Sequence, residues 1–112
     1  MKLIYIAGQY TGKTSERIDL NIAAARHAAC QVIERGWFPI VPHANTAQFD
    51  RYMPDVPHSF WYEGDILIPG KCDAALFIQG WENSTGSKAE HKFCEANKIP
   101  IYYESKELPD IR

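Results

Sequence analysis

The sequence predicts an α/β fold: a doubly wound, Rossmann or flavodoxin-like parallel sheet of four to five strands with flanking helices. Three observations carry that expectation. Short β-branched and aromatic runs alternate with stretches of helical periodicity, each run ends in a polar or glycine-bearing loop, and the composition is 46 % hydrophobic and 23 % charged, that of an ordinary globular core. A length of 112 residues is enough for one such core and too short for two, so residues 1–112 read as a single domain.

Lys2 to Ala7 is an apolar run closed by Gly8, which suits a first strand buried on both faces. Ile18, Ile22, Ala25, Ala29, Val32 and Ile33 then recur at three- and four-residue spacing, which predicts a helix over 15–35 stopped by Gly36. Trp37 to Val41 is a second strand, and Pro39, which has no N–H to give, places it near a sheet edge. Residues 42–58 form a connection much longer than the usual ~4 to 6 residues, a length that points to function. A short helix over about 59–68, a third strand over 74–78, a helix over roughly 86–97 and a fourth strand over 99–103 complete the pattern. The polar tail 104–112 is expected to be loose.

In a doubly wound sheet the ligand site lies at the carboxyl ends of the strands, which nominates the loops Gly8 to Lys13, Pro42 to His58 and Gln79 to Gly86. Twelve Lys+Arg stand against 14 Asp+Glu with no clustered basic face, so no nucleic-acid partner is expected. The three cysteines, Cys30, Cys72 and Cys94, form no Cys-x-x-Cys pair, and a disulfide framework or zinc knuckle is not expected. His27 with Cys30 and His91 with Cys94 have helical spacing but lack a third ligand, so these pairs read as packing residues and no metal is expected. The apolar start is too short for a signal-peptide core or a membrane span, giving the expectation of a soluble, cytoplasmic protein with no membrane partner.

Ala7 to Thr14 satisfies a relaxed Walker A spacing between a strand and a helix, so a P-loop NTPase is one reading. It lacks the acidic residue that such an enzyme needs at a second strand end to hold Mg²⁺, because Pro42 and Gln79 stand there. Asn83 to Glu90 is more informative. Asn83 or Ser84 caps a helix whose first N–H groups face the strand ends, and Gly86 lies one turn before Glu90 on the same face, leaving space beside that carboxylate. Ala89, Phe93 and Ala96 are expected to form the neighbouring stripe that packs on the sheet. Asp65 is the better of two further carboxylates for the cleft, and Asp73 reads as a cap or turn residue. Tyr10, Trp61, Tyr62 and Trp81 are among the aromatics gathered in the three loops, where flat faces suit a base or sugar.

The opening Leu-Ile-Tyr-Ile-Ala-Gly-Gln-Tyr, Asp65 eight residues before Asp73, and Ser84-x-Gly86-x-x-x-Glu90 followed by Ile99-Pro100-Ile101 resemble the nucleoside 2-deoxyribosyltransferase superfamily. The resemblance spans about residues 2–103 and is nearest to its small members and its nucleotide N-hydrolase branch. It implies cleavage of the N-glycosidic bond of a (deoxy)nucleoside or nucleoside 5'-monophosphate, as hydrolase or transferase. Glu90 would be the nucleophile that forms a glycosyl ester, and Asp65 would assist the leaving base. Gly8, Gln9 and Tyr10 match the loop lining the sugar, and Ser84, Gly86 and Ser87 match a phosphate- or substrate-binding turn. Trp81 and His43 join them as candidate substrate contacts. No cofactor is implied; a small-molecule nucleoside or nucleotide partner and a homodimer or larger homo-oligomer are. Gln9 stands where relatives carry Pro. A non-catalytic nucleotide-binding module is the alternative.

Overall fold

The computed structural model describes residues 1–46 and 49–112. Four strands, β1 (Lys2–Ala7), β2 (Trp37–Ile40), β3 (Ala74–Phe77) and β4 (Ile101–Tyr102), form one parallel sheet in the order β2-β1-β3-β4. Helix α1 (Ser15–Ile33) follows β1. Two single-turn helices, α2 (Pro42–Asn45) and α3 (Phe49–Tyr52), and the two-turn α4 (His58–Asp65) lie between β2 and β3, and α5 (Thr85–Ala96) lies between β3 and β4. This is the expected α/β fold. Because the chain leaves β1 for β2 on one side and returns to β3 on the other, the strand order reverses between β1 and β3, where a crevice opens at the strand tips.

The two-residue alternation of β1 sorts the core. Ile4 and Ile6 join Ala25, Ala28 and Val32 of α1, with Trp37, Ala74, Leu76 and Leu108, in one cluster. Tyr5 and Ala7 face the other way, into a smaller cluster with Ala75, Phe77 and Cys94 of α5. That assignment places a tyrosine of the central strand beneath α5. β1 is fully flanked, in register with β2 (Tyr5 opposite Ile40) and with β3 (Tyr5 opposite Ala75). Its four buried residues, Ile4 to Ala7, match the apolar run expected for a strand covered on both faces.

Local chemistry explains the helix ends. Thr14 caps α1 by accepting from Arg17 N at 3.1 Å, and Gly36 takes φ +89° after the last turn, a conformation open to a residue without a β-carbon. Pro39 sits in an edge strand, as its missing donor requires. Asp73 ties the start of β3 to β1, accepting from Leu3 N at 2.8 Å while its own N–H donates to Leu3 O.

The structure differs from the sequence expectation in three places. The long loop 42–58 contains the helical turns α2 and α3, with Ala47 and Gln48 outside the described residues. On α5 the buried positions are Ser87 and Cys94, one stripe with Glu90 between them, while Ala89 and Ala96 are exposed. The expected stripe of Ala89, Phe93 and Ala96 is therefore not the packed one: of the three only Phe93 is half-buried, and the helix turns Ser87, Glu90 and Cys94 inward, where Tyr5 gives Glu90 a partner. The tail is also not loose: after a 3-10 turn at Ser105–Glu107, Leu108 is buried in the α1-side cluster. Arg35 and Trp37 donate to the carbonyls of Leu108 and Pro109, both at 2.9 Å. A polar composition concealed one well-placed leucine. Leu108→Ala is therefore expected to cost about 3 kcal/mol in urea denaturation, the range for truncating a buried leucine; a change below about 0.5 kcal/mol would mean that the tail does not hold the core.

Candidate functional site

A cleft of about 470 Å³, within the range of small-molecule sites, lies where the fold requires one. The tips of β1 and the loop after it form its floor, α4 and its neighbours one wall, and the first turns of α5 the other. Glu90 projects into it from α5. The Tyr5 hydroxyl donates a hydrogen bond to the Glu90 carboxylate, joining the central strand to the helix above it. A tyrosine buried among apolar neighbours needs a partner for its hydroxyl, and a half-buried carboxylate needs a donor, so each resolves the other's desolvation.

The electrostatics of the cleft are set by burial. Loss of water raises the Glu90 carboxyl, the Tyr5 hydrogen bond opposes that by favouring the charged form, and Asp65 nearby raises it again, leaving it at about 7. Asp65, at the end of α4, is raised to about 6 by desolvation. Tyr5 is held protonated, raised far above its ordinary value by burial and then by Glu90. Two carboxyl groups therefore change protonation near neutrality on opposite walls of one cleft.

Ser84, Ser87, Gly8 and His43 fix the floor. Ser84 caps α5, its hydroxyl oxygen accepting from Ser87 N at 3.1 Å. The Ser87 hydroxyl donates to Gly8 O at 2.9 Å, and His43 donates from Nε2 to Gly8 O at 2.8 Å and to Gln9 O at 2.9 Å. Because both partners of Nε2 are carbonyls, that nitrogen carries the proton, and burial holds the ring below its usual pKa, hence neutral. Gly8 tolerates nothing larger, since a β-carbon there would lie 2.5 Å from Ile78 Cγ1. The loop expected to line a ligand is thus clamped from α2 and α5 together.

Most of the sequence candidates meet in this cleft: Glu90, Asp65, Gly8, Tyr10, His43, Ser84, Gly86 and Ser87 all border it. Gln9 and Trp81 do not. Gln9 turns its side-chain oxygen toward Gly80, and Trp81 stacks on His91 at 4.3 Å, edge-on to Phe77 at 5.3 Å, packing the far side of α5. Trp61 and Tyr62 of α4 do line the cleft. Gly86 earns its place by contact: a β-carbon on it would sit 3.0 and 3.1 Å from two ring carbons of Tyr62. Thr14, the Walker-like hydroxyl, is occupied as the α1 cap. Among the described residues no three metal-ligating side chains come together, and no helix is long and apolar enough to cross a membrane.

Sequence reasoning missed Tyr5, the partner of Glu90, and the acidic lining residues Asp50 and Glu63. A polar-tipped aromatic inside an otherwise apolar strand was the available signal for Tyr5, because its hydroxyl had to be satisfied somewhere. Asp50 and Glu63 carry no such signal.

The family described as a domain of unknown function (DUF7768) matches residues 2–104, nearly the full chain. The chain belongs to the DUF7768 family. No curated protein matches it. The DUF7768 match takes in every element of the cleft and ends before Leu108, so the strap that closes the α1-side core lies beyond it.

Burial of Glu90 has a cost that pH exposes. A carboxyl raised from 4.5 to about 7 on folding binds its proton more tightly in the folded state. Stability therefore falls as pH rises from about 4.5 and the loss is complete above about 7, amounting to at most about 3 kcal/mol. Glu90→Gln is expected to raise the melting temperature at pH 8 and leave it nearly unchanged at pH 4. Equal shifts at both values would mean that the carboxyl is not desolvated.

Proposed function

We propose that this DUF7768 protein cleaves the N-glycosidic bond of a nucleoside or nucleoside 5'-monophosphate, passing the sugar to water or to a second base. The observation that carries this reading is the half-buried Glu90 carboxyl, gripped by Tyr5 and placed within electrostatic reach of Asp65 in a nucleoside-sized cleft. The resemblance of the first loop and of Ser84-x-Gly86-x-x-x-Glu90 to the nucleoside 2-deoxyribosyltransferase superfamily supports it.

Each residue then has a defined task. With Glu90 at about 7 and Asp65 at about 6, a single proton on the pair rests mainly on Glu90, and the reactive form is the one in which Asp65 carries it; the ionised Glu90 then attacks the anomeric carbon and forms an ester with the sugar, while the electron pair of the breaking C1'–N bond passes to the base, which takes the proton from Asp65. Tyr5 keeps its proton throughout and holds the carboxylate in line, leaving the second oxygen for attack. In the second step Asp65, now a carboxylate, accepts a proton from the incoming water or base, whose oxygen or nitrogen displaces Glu90. The clamp of His43 and Ser87 on Gly8 fixes the loop that would bound the sugar. Trp61 and Tyr62, which line the cleft, supply aromatic surface for the base.

Glu90→Gln keeps the volume and the Tyr5 hydrogen bond but removes the nucleophile. Base release from a panel of nucleosides and monophosphates, followed by chromatography, is expected to fall at least a thousandfold while the circular dichroism spectrum is unchanged. Release at the wild-type rate would overturn the assignment of Glu90.

A further inference from the structure

The charge around the cleft is one-sided. Asp50, Glu63, Asp65 and Glu90 all border it, and none of the described residues on its lining is a lysine or arginine. The basic lining residues are two histidines, of which His43 is held neutral by burial. The start of α5 is a fixed positive feature of the cleft, and its helix terminus would otherwise suit a phosphate. Here that terminus is partly closed. Ser87 N is taken by Ser84 Oγ, and the Tyr62 ring lies against the side of Gly86, crowding the first turn. Trp61, Tyr62 and Tyr10 add aromatic faces to the same lining. Acidic groups combined with aromatic rings, and with no lysine or arginine among the described lining residues, make an environment that attracts positive charge and repels negative charge.

We propose that the cleft selects N-glycosides whose base carries a positive charge, a pyridinium or N-alkylated purine nucleoside without a 5'-phosphate. The inference rests on the N-glycosidic reading and narrows its substrate class. It also eases the chemistry. When the bond from Glu90 to C1' forms, the electron pair of the breaking C1'–N bond neutralises the cationic ring, so the base leaves without needing a proton from Asp65. A bound cation further favours the ionised, nucleophilic form of Glu90.

The test is titration calorimetry on the full chain carrying Glu90→Gln, so that turnover does not intervene. Three probes are compared: nicotinamide riboside, its uncharged 1,4-dihydro form of nearly the same shape, and the 5'-monophosphate of the first. The cationic riboside is expected to bind at least tenfold more tightly than either of the others. That preference is expected to shrink at least threefold when Asp50→Asn and Glu63→Gln are added; both side chains are exposed, so the fold is retained. Equal affinity for the charged and uncharged forms, tightest binding of the monophosphate, no binding of any probe, or a preference untouched by the two substitutions would each overturn the inference. Base release by the unsubstituted protein separates the two claims. Release without charge preference defeats this inference alone, and charge preference without release defeats the catalytic reading alone.

Discussion

A single hydrogen bond, from the Tyr5 hydroxyl to the Glu90 carboxylate, joins the sheet to the helix that forms one wall of the cleft. Each partner would be expensive alone. A phenol buried in the apolar layer under α5 would lack an acceptor, and a carboxylate stripped of most of its water would lack a donor. Together they place a titratable group at the carboxyl end of the central strand, held in one orientation and raised to about 7. A surface glutamate on the same helix would ionise near 4 and move freely.

The rest of the structure serves that placement. Alternation along β1 sends Ile4 and Ile6 to the α1 side, leaving Tyr5 and Ala7 for the α5 side, so the strand that anchors the larger cluster also carries the donor for Glu90. The strand order puts the crevice between β1 and β3, directly beneath the first turns of α5. His43 and Ser87 converge on Gly8 O, which locks the loop after β1 to elements on both sides of the cleft. By contrast α4, which contributes Asp65, Trp61 and Tyr62, buries none of its residues fully. The wall bearing Glu90 is anchored in the core, and the wall bearing Asp65 rests on it lightly.

Much of this was legible in the sequence because it follows from periodicity and punctuation. The apolar runs at Lys2 to Ala7 and Ala74 to Ile78, the long amphipathic stretch before Gly36 and the proline in the second run specify the strands, the first helix and the edge position. The cap at Asn83 or Ser84, which the structure gives to Ser84, and the Gly86-to-Glu90 turn were legible too, since capping and one-turn spacing are local properties. Long-range pairing was not. Nothing near residue 5 announces residue 90, and nothing in a polar tail announces that Leu108 fills the core beside Val32 and Trp37. Trp81 shows the converse, an aromatic in a site loop that the fold turns away to stack on His91. Its position in the chain gave the loop correctly and the direction of its ring not at all.

Glu90 is desolvated and held by Tyr5. The most direct measurement is an NMR titration of the Glu90 side-chain carboxyl carbon, in protein labelled at glutamate and assigned by comparison with Glu90→Gln. The account predicts a midpoint near 7 in the unmodified chain and a higher one in Tyr5→Phe, because the hydrogen bond favours the ionised form. A midpoint near 4.5 that ignores the loss of the Tyr5 hydroxyl would contradict it.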